Sequence, residues 1–171
     1  MKNYPKRISD KVAKLLDERI KAEGESSQLY LAMSTWFEMY GLPNLASLYK
    51  KYSNEEREHM EKVYSYCLKR NYLPKTPSFD AMPNSYGGVE EILEKTYDHE
   101  VLVTEMWRAV VKACLSEEDH VTRVFAEEFL TEQIEEEDKA LNLCDIYKTL
   151  GECPSKDFHF DKRVAKLAVM L

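Results

Sequence analysis

A run from Tyr72 to Gly87 shows no helical period and is broken by Pro74, Pro77, Pro83 and Gly87. Sixteen structureless residues are unusual in a compact fold and need a reason. Fully extended, they reach roughly 50 Å. The stretch before them, about 43–71, makes a helix about 43 Å long. The run is therefore long enough to return along that whole helix, so that the next helix starts where the previous one did. Such a long crossover is one of the few ways to connect a four-helix bundle. The other links are short. Gly41-Leu42-Pro43 places Pro43 in the first turn of the second helix and makes the first two helices antiparallel neighbours. Ser116-Glu117-Glu118 does the same for the third and fourth. The pattern predicts an all-α fold in one domain, 1–171, with helices over about 9–40, 43–71, 89–115 and 119–150. Gly151 is a plausible cap for the fourth. A short fifth helix is expected over 161–171, capped by Asp161, with Val164, Leu167, Ala168 and Leu171 on its apolar side.

Each long helix carries an apolar seam at helical spacing. The first reads Val12, Leu16, Ile20, Glu23, Ser27, Tyr30, Ser34, Phe37; the second Leu45, Tyr49, Tyr52, Glu56, His59, Val63, Tyr66. The third reads Leu93, Thr96, Glu100, Val103, Trp107, Val110, Cys114; the fourth Phe129, Gln133, Glu136, Ala140, Leu143, Tyr147, Leu150. In all four the middle of the seam holds carboxylate, imidazole or amide instead of hydrocarbon. Four solvated faces would not be interrupted at the same level each time. An unpaired carboxylate in a core costs several kcal/mol, so a cation is expected among them. Glu56 and His59 lie one turn apart on one face. Carboxylates with one imidazole form an oxygen-rich set suited to iron or manganese more than zinc. So many carboxylates would over-charge a single ion, so two are expected.

Composition narrows the partners. A net charge of −7 argues against a nucleic-acid binder and for a protein that tolerates cations. Cys67, Cys114, Cys144 and Cys153 are scattered without a Cys-x-x-Cys, as expected of reduced thiols in a cytoplasmic protein. The N-terminal Met1-Lys2-Asn3-Tyr4-Pro5 has no apolar signal region, and no stretch is long enough to span a membrane.

The chain resembles the non-haem ferritins of bacterial type. The resemblance runs through Ala22-Glu23-Gly24-Glu25-Ser26-Ser27-Gln28-Leu29-Tyr30, Tyr97-Asp98-His99-Glu100, Glu132-Gln133-Ile134-Glu135-Glu136-Glu137 and Phe160-Asp161-Lys162. It implies a ferritin-like four-helix bundle with a long crossover and a short fifth helix. It implies a ferroxidase centre in which Glu23, Glu56 and His59 hold one iron. Glu56 would bridge to a second iron held by Glu100, with Glu136 close by. Gln133 would hydrogen-bond near that second iron, and Tyr30 would supply an electron during oxidation by dioxygen or peroxide. It also implies a homo-oligomeric shell of 24 subunits filled with ferric mineral, the fifth helix lying at the four-fold axis. Removal of 161–171 is then expected to weaken the shell and spare the bundle. Arg57 stands where haem-binding relatives carry Met after the bridging Glu, so no haem is expected. Ala126 and Arg123 stand where vertebrate ferritins line their three-fold channels with acids. Gly24, in mid-helix beside Glu23, costs up to about 1 kcal/mol of helix propensity and has no evident reason.

Glu132, Glu135 and Glu136 share one side of the fourth helix, and Glu55 precedes Glu56 on the second. A further cation would satisfy Glu55, Glu132 and Glu135, with Glu136 shared; a third iron position at the matching residues is what the resemblance implies. Trp36, Trp107 and Met60 read as packing. His99 lies beside Glu100 but off the seam, and His120 and His159 have no partner at ligand spacing. A peroxidase of the rubrerythrin kind would want a second Glu-x-x-His and a Cys-x-x-Cys module, and the sequence has neither. The small DNA-protecting cage builds its sites between subunits, whereas here one chain supplies a full set. A non-catalytic structural bundle would have no need of that set.

Overall fold

The computed structural model describes residues 4–167. They form α1 (Asp10–Met39), α2 (Pro43–Lys69), α3 (Val89–Ser116), α4 (His120–Thr149) and α5 (Lys156–Leu167), with no strand among the described residues. The fold is an all-α bundle. Its helix ends follow local chemistry. Ser9 accepts a hydrogen bond from the Val12 amide at 3.2 Å and Asp119 one from Thr122 at 3.0 Å, each capping the helix that follows. Gly41 turns the chain between α1 and α2 at φ 73°, which suits a residue without Cβ. α1 packs along α2 and α3 along α4; α1 also meets α3. No helix among the described residues is long and apolar enough to cross a membrane.

The crossover is fastened to α1 as it climbs. The Tyr72 hydroxyl donates to Asp17 Oδ2 at 2.7 Å, and the Lys75 amide to Asp17 Oδ1 at 3.1 Å. Further on, Phe79 lies against Gly24, and Tyr86 meets Trp36 edge-on with centroids 6.0 Å apart. From Asp17 to Trp36 is about 29 Å of helix, so the loop runs the length the sequence demands and delivers α3 at the far end of the bundle.

This path explains Gly24. A Cβ there would fall 2.3 Å from Phe79 Cζ and 3.1 Å from Met60 Sδ. The missing side chain is the space into which the loop ring packs, beside a buried ligand candidate. In Gly24→Ala the helix gains about 1 kcal/mol of propensity while Phe79, already partly exposed, is pushed off α1. The expected result is a nearly unchanged melting temperature with faster proteolytic cleavage within 73–87. An unaltered digestion pattern would show that the ring does not depend on this gap.

α5 departs from the expected bounds. It begins at Lys156, not Asp161, and Asp161 does not cap it. Asp161 is instead buried in mid-helix and caps α2, whose own N-cap residue, Leu42, has no side-chain acceptor. Its Oδ1 accepts from the Asn44 and Leu45 amides, each at 2.9 Å, and its Oδ2 from Asn44 Nδ2 at 2.6 Å. Phe160 and Val164 enter the core of the same chain, so the apolar side of α5 is not reserved for neighbouring subunits. Ala168 and Leu171 lie outside the described residues.

The interior is two apolar cores stacked end to end. One joins Tyr30, Phe37, Leu45, Tyr49, Leu93 and Phe160; the other joins Leu16, Ile20, Val63, Val103, Trp107 and Phe129. Glu23, Glu56, Glu100 and Gln133 form a buried polar layer between them. Each helix crosses from one core to the other at its interrupted position, which is why the interruptions share a level.

Candidate metal centre

Glu23, Glu56 and His59 each bring a ligand atom to one place, all within 4.8 Å of one another. Glu23 Oε2 and Glu56 Oε2 are buried with no hydrogen-bond partner. Orphaned buried oxygens are costly, and two of them beside an imidazole fit a divalent first-row ion. His59 Nε2 lies 3.1 Å from Glu132 Oε1, and Nδ1 3.6 Å from Glu56 Oε2. Burial alone would lower the pKa of the imidazole, but the adjacent Glu56, with Glu23 and Glu132, carries it up to about 9. Without a metal, His59 is therefore protonated at neutral pH and is part of the cationic answer to the carboxylates. Burial pushes Glu56 well above the usual carboxylate range, and the charges of Glu23 and Glu100 add to the rise.

Glu100 occupies the far wall. The Tyr30 hydroxyl donates to its Oε1, and Gln133 Nε2 donates to its Oε2 at 3.0 Å and to its backbone carbonyl at 3.2 Å. Burial raises the Glu100 pKa despite these donors. Tyr30 is held far above its ordinary value by burial and by the charges of Glu100 and Glu56. Gln133 from α4 thus fixes α3's carboxylate through its side-chain amide. Behind Tyr30, His99 Nε2 meets Ser26 Oγ at 2.7 Å, and its ring packs edge-on to Tyr30 at 5.7 Å. His99 therefore supports the wall from behind.

A cavity of about 260 Å³ opens over this layer, lined by Tyr30, Tyr52, Glu56, His59 and Glu100 and, towards its mouth, by Glu55, Glu58, Glu132, Glu135 and Glu136. The expected third-position residues share this cavity, but each of three answers a different cation. Glu55 is 3.6 Å from Lys51, Glu132 faces His59, and Glu136 is 2.7 Å from Lys139. Among the described residues, the carboxylate–imidazole grouping that closes within ligand range is that of Glu23, Glu56 and His59.

Two charged residues escaped the sequence reading. Arg19, 1% exposed, donates from Nη2 to Glu23 Oε1 at 2.5 Å. Lys139 lines the cavity mouth. Arg19 stands one turn before Glu23 on the apolar seam, and Lys139 three residues after Glu136. Charge spacing of three or four residues along one helix was the signal available for both. Two positions matched to the vertebrate channel are also placed: Ala126 is fully buried in the core, and Arg123 pairs with Glu127 at 3.1 Å.

A bundle of four long helices, a long crossover and a buried carboxylate–imidazole layer defines the class of carboxylate-lined, metal-binding helical bundles. Within that class, residues 13–149 match the ferritin-like domain family, and the chain belongs to the ferritin family. It is 36% identical over 145 residues to a bacterial non-heme ferritin of Bacteroides fragilis, covering 85% of this chain and 91% of that protein. It is 31% identical over 161 residues to a probable bacterial non-heme ferritin-like protein of Haemophilus influenzae, covering 94% and 98%. An open pore ferritin from the archaeon Archaeoglobus fulgidus superposes with a TM-score of 0.89 at 28% identity, covering 94% of this chain and 98% of that one.

Proposed function

We propose that the protein is an iron-storage ferritin with ferroxidase activity. The carrying observation is the convergence of Glu23, Glu56 and His59 within 4.8 Å, with two carboxylate oxygens buried and unpartnered. Fe(II) is the substrate. One ion is taken by Glu23, Glu56 and His59, and a second by Glu56 and Glu100 with Glu136 near. Each gives up one electron to dioxygen or peroxide. Tyr30, hydrogen-bonded to Glu100, is placed to supply a further electron, and Gln133 keeps Glu100 oriented. Ferric product passes to the interior of a cytoplasmic shell of 24 like subunits, and no haem, nucleic acid or membrane takes part.

Glu55, Glu132 and Glu135, with Glu136 shared, form a third iron position with a role in transfer. It binds more weakly than the pair, because His59, Lys51 and Lys139 must release these carboxylates first. Anomalous scattering from iron-soaked crystals should show a third, weaker peak, absent in a Glu132→Ala, Glu135→Ala double variant. Anaerobic addition of Fe(II) followed by air should give rapid appearance of ferric absorbance, with light scattering reporting about 24 subunits. Oxidation no faster than in protein-free buffer would end the ferroxidase reading.

A further inference from the structure

Arg19 holds a place that a metal-binding layer does not by itself require. The residue is 1% exposed, and its guanidinium stacks over Trp107 at 4.7 Å. Nη1 reaches Met106 Sδ at 3.2 Å, Nη2 reaches Glu23 Oε1 at 2.5 Å, and Nε has no partner. Glu23 is the anion that answers it. Arginine does not give up its proton in a protein, and Trp107, fully buried, blocks its retreat. One oxygen of Glu23 is therefore occupied by a permanent cation while the other, Oε2, is buried and left unpartnered, and the residue brings a carboxylate oxygen within 4.8 Å of ligand atoms of Glu56 and His59.

We propose that Arg19 is the positioning residue that sets how tightly the Glu23 limb of the centre holds a divalent ion. This inference rests on the metal-centre reading above. Arg19 fixes the Glu23 carboxylate with Oε2 free, so Glu23 ligates through one oxygen only. Its charge stands next to the incoming ion and repels it. Orientation strengthens binding and like charge weakens it. In a poorly solvated interior at this range the charge effect is the larger, so the net effect of Arg19 is to loosen the metal. A loosely held ion suits a centre whose substrate must leave after oxidation. A purely structural arginine would stabilise the α1–α3 contact and leave metal affinity untouched.

The test is an anaerobic Co(II) titration of the assembled protein, followed by the visible absorption of the bound ion, for the parent, Arg19→Gln and Arg19→Lys. Glutamine keeps an N–H donor without charge; lysine keeps the charge. Arg19→Gln is expected to bind Co(II) roughly tenfold more tightly or better, the size of a neighbouring like charge removed from a poorly solvated site, and Arg19→Lys to stay close to the parent. Arg19→Met, also uncharged, should tighten binding in the same direction and serves if the glutamine variant does not fold. Affinity in Arg19→Gln or Arg19→Met equal to or weaker than the parent's overturns the proposal, as does lysine matching glutamine. A parent that binds no Co(II) removes the metal-centre reading itself. Binding by the parent with no change on substitution removes only the role of Arg19.

Discussion

Replacing His59 with alanine is expected to slow rapid Fe(II) oxidation by about 100-fold or more while the subunits still assemble. The imidazole is the nitrogen donor of the close cluster with Glu23 and Glu56. In the metal-free centre it is also the cation that separates Glu56 from Glu132, 3.6 Å from one and 3.1 Å from the other. Without it, the carboxylates meet with no positive charge between them, and their neutral forms become favoured. A protonated carboxyl is a poor ligand, so the loss reaches beyond one donor atom. The fold should tolerate the change. His59 is partly exposed at the cavity, and its main packing is an edge-on contact with Phe129 at 5.6 Å. Stopped-flow absorbance after mixing Fe(II)-loaded protein with oxygenated buffer gives the rate, and light scattering gives the particle mass. Oxidation at the parent's rate would remove His59 from the centre; loss of the particle would show that the ring is structural.

The fold was legible where periodicity governs. The expected starts at Pro43 and Val89 are those observed, because Pro43 and the end of the proline-rich run leave little choice. The level of the buried polar layer was legible too, since a buried seam shows any polar interruption. Glu23, Glu56, Glu100 and Gln133 are all buried in the one layer. What periodicity could not give was which way a long basic side chain turns. Arg19 and Lys139 lie within a turn of Glu23 and Glu136, yet a long basic side chain can reach solvent from many positions. Only the packing of Trp107 and Met106 shows that Arg19 turns inward. Gly24 was unexplained because its reason is Phe79, fifty-five positions away (79 − 24) on a loop without regular structure. Asp161 misled for a related reason. A short acid near a helix start reads as its cap, but the helix begins earlier and the carboxylate serves another element.

Asp161→Ala is accordingly expected to destabilise the bundle by about 2–4 kcal/mol. α2 begins with Leu42 and Pro43 and has no side chain of its own to cap its first amides. Asp161 answers the Asn44 and Leu45 amides with one oxygen and the Asn44 side chain with the other. A carboxylate at a helix N-terminus also meets the positive end of the helix dipole. The site is buried, so alanine would leave those donors without water to replace it. Loss of an ordinary exposed cap costs about 0.5–2 kcal/mol; the orphaned donors raise the figure here. Asp161→Asn keeps an acceptor and loses the charge, and should fall between parent and alanine. Asn44→Ala removes only the Oδ2 contact, so the double variant should lose less than the sum of the two single losses. Denaturant unfolding of the parent and the four variants measures this directly. An Asp161→Ala variant within about 0.5 kcal/mol of the parent would mean that α2 does not depend on α5 for its start.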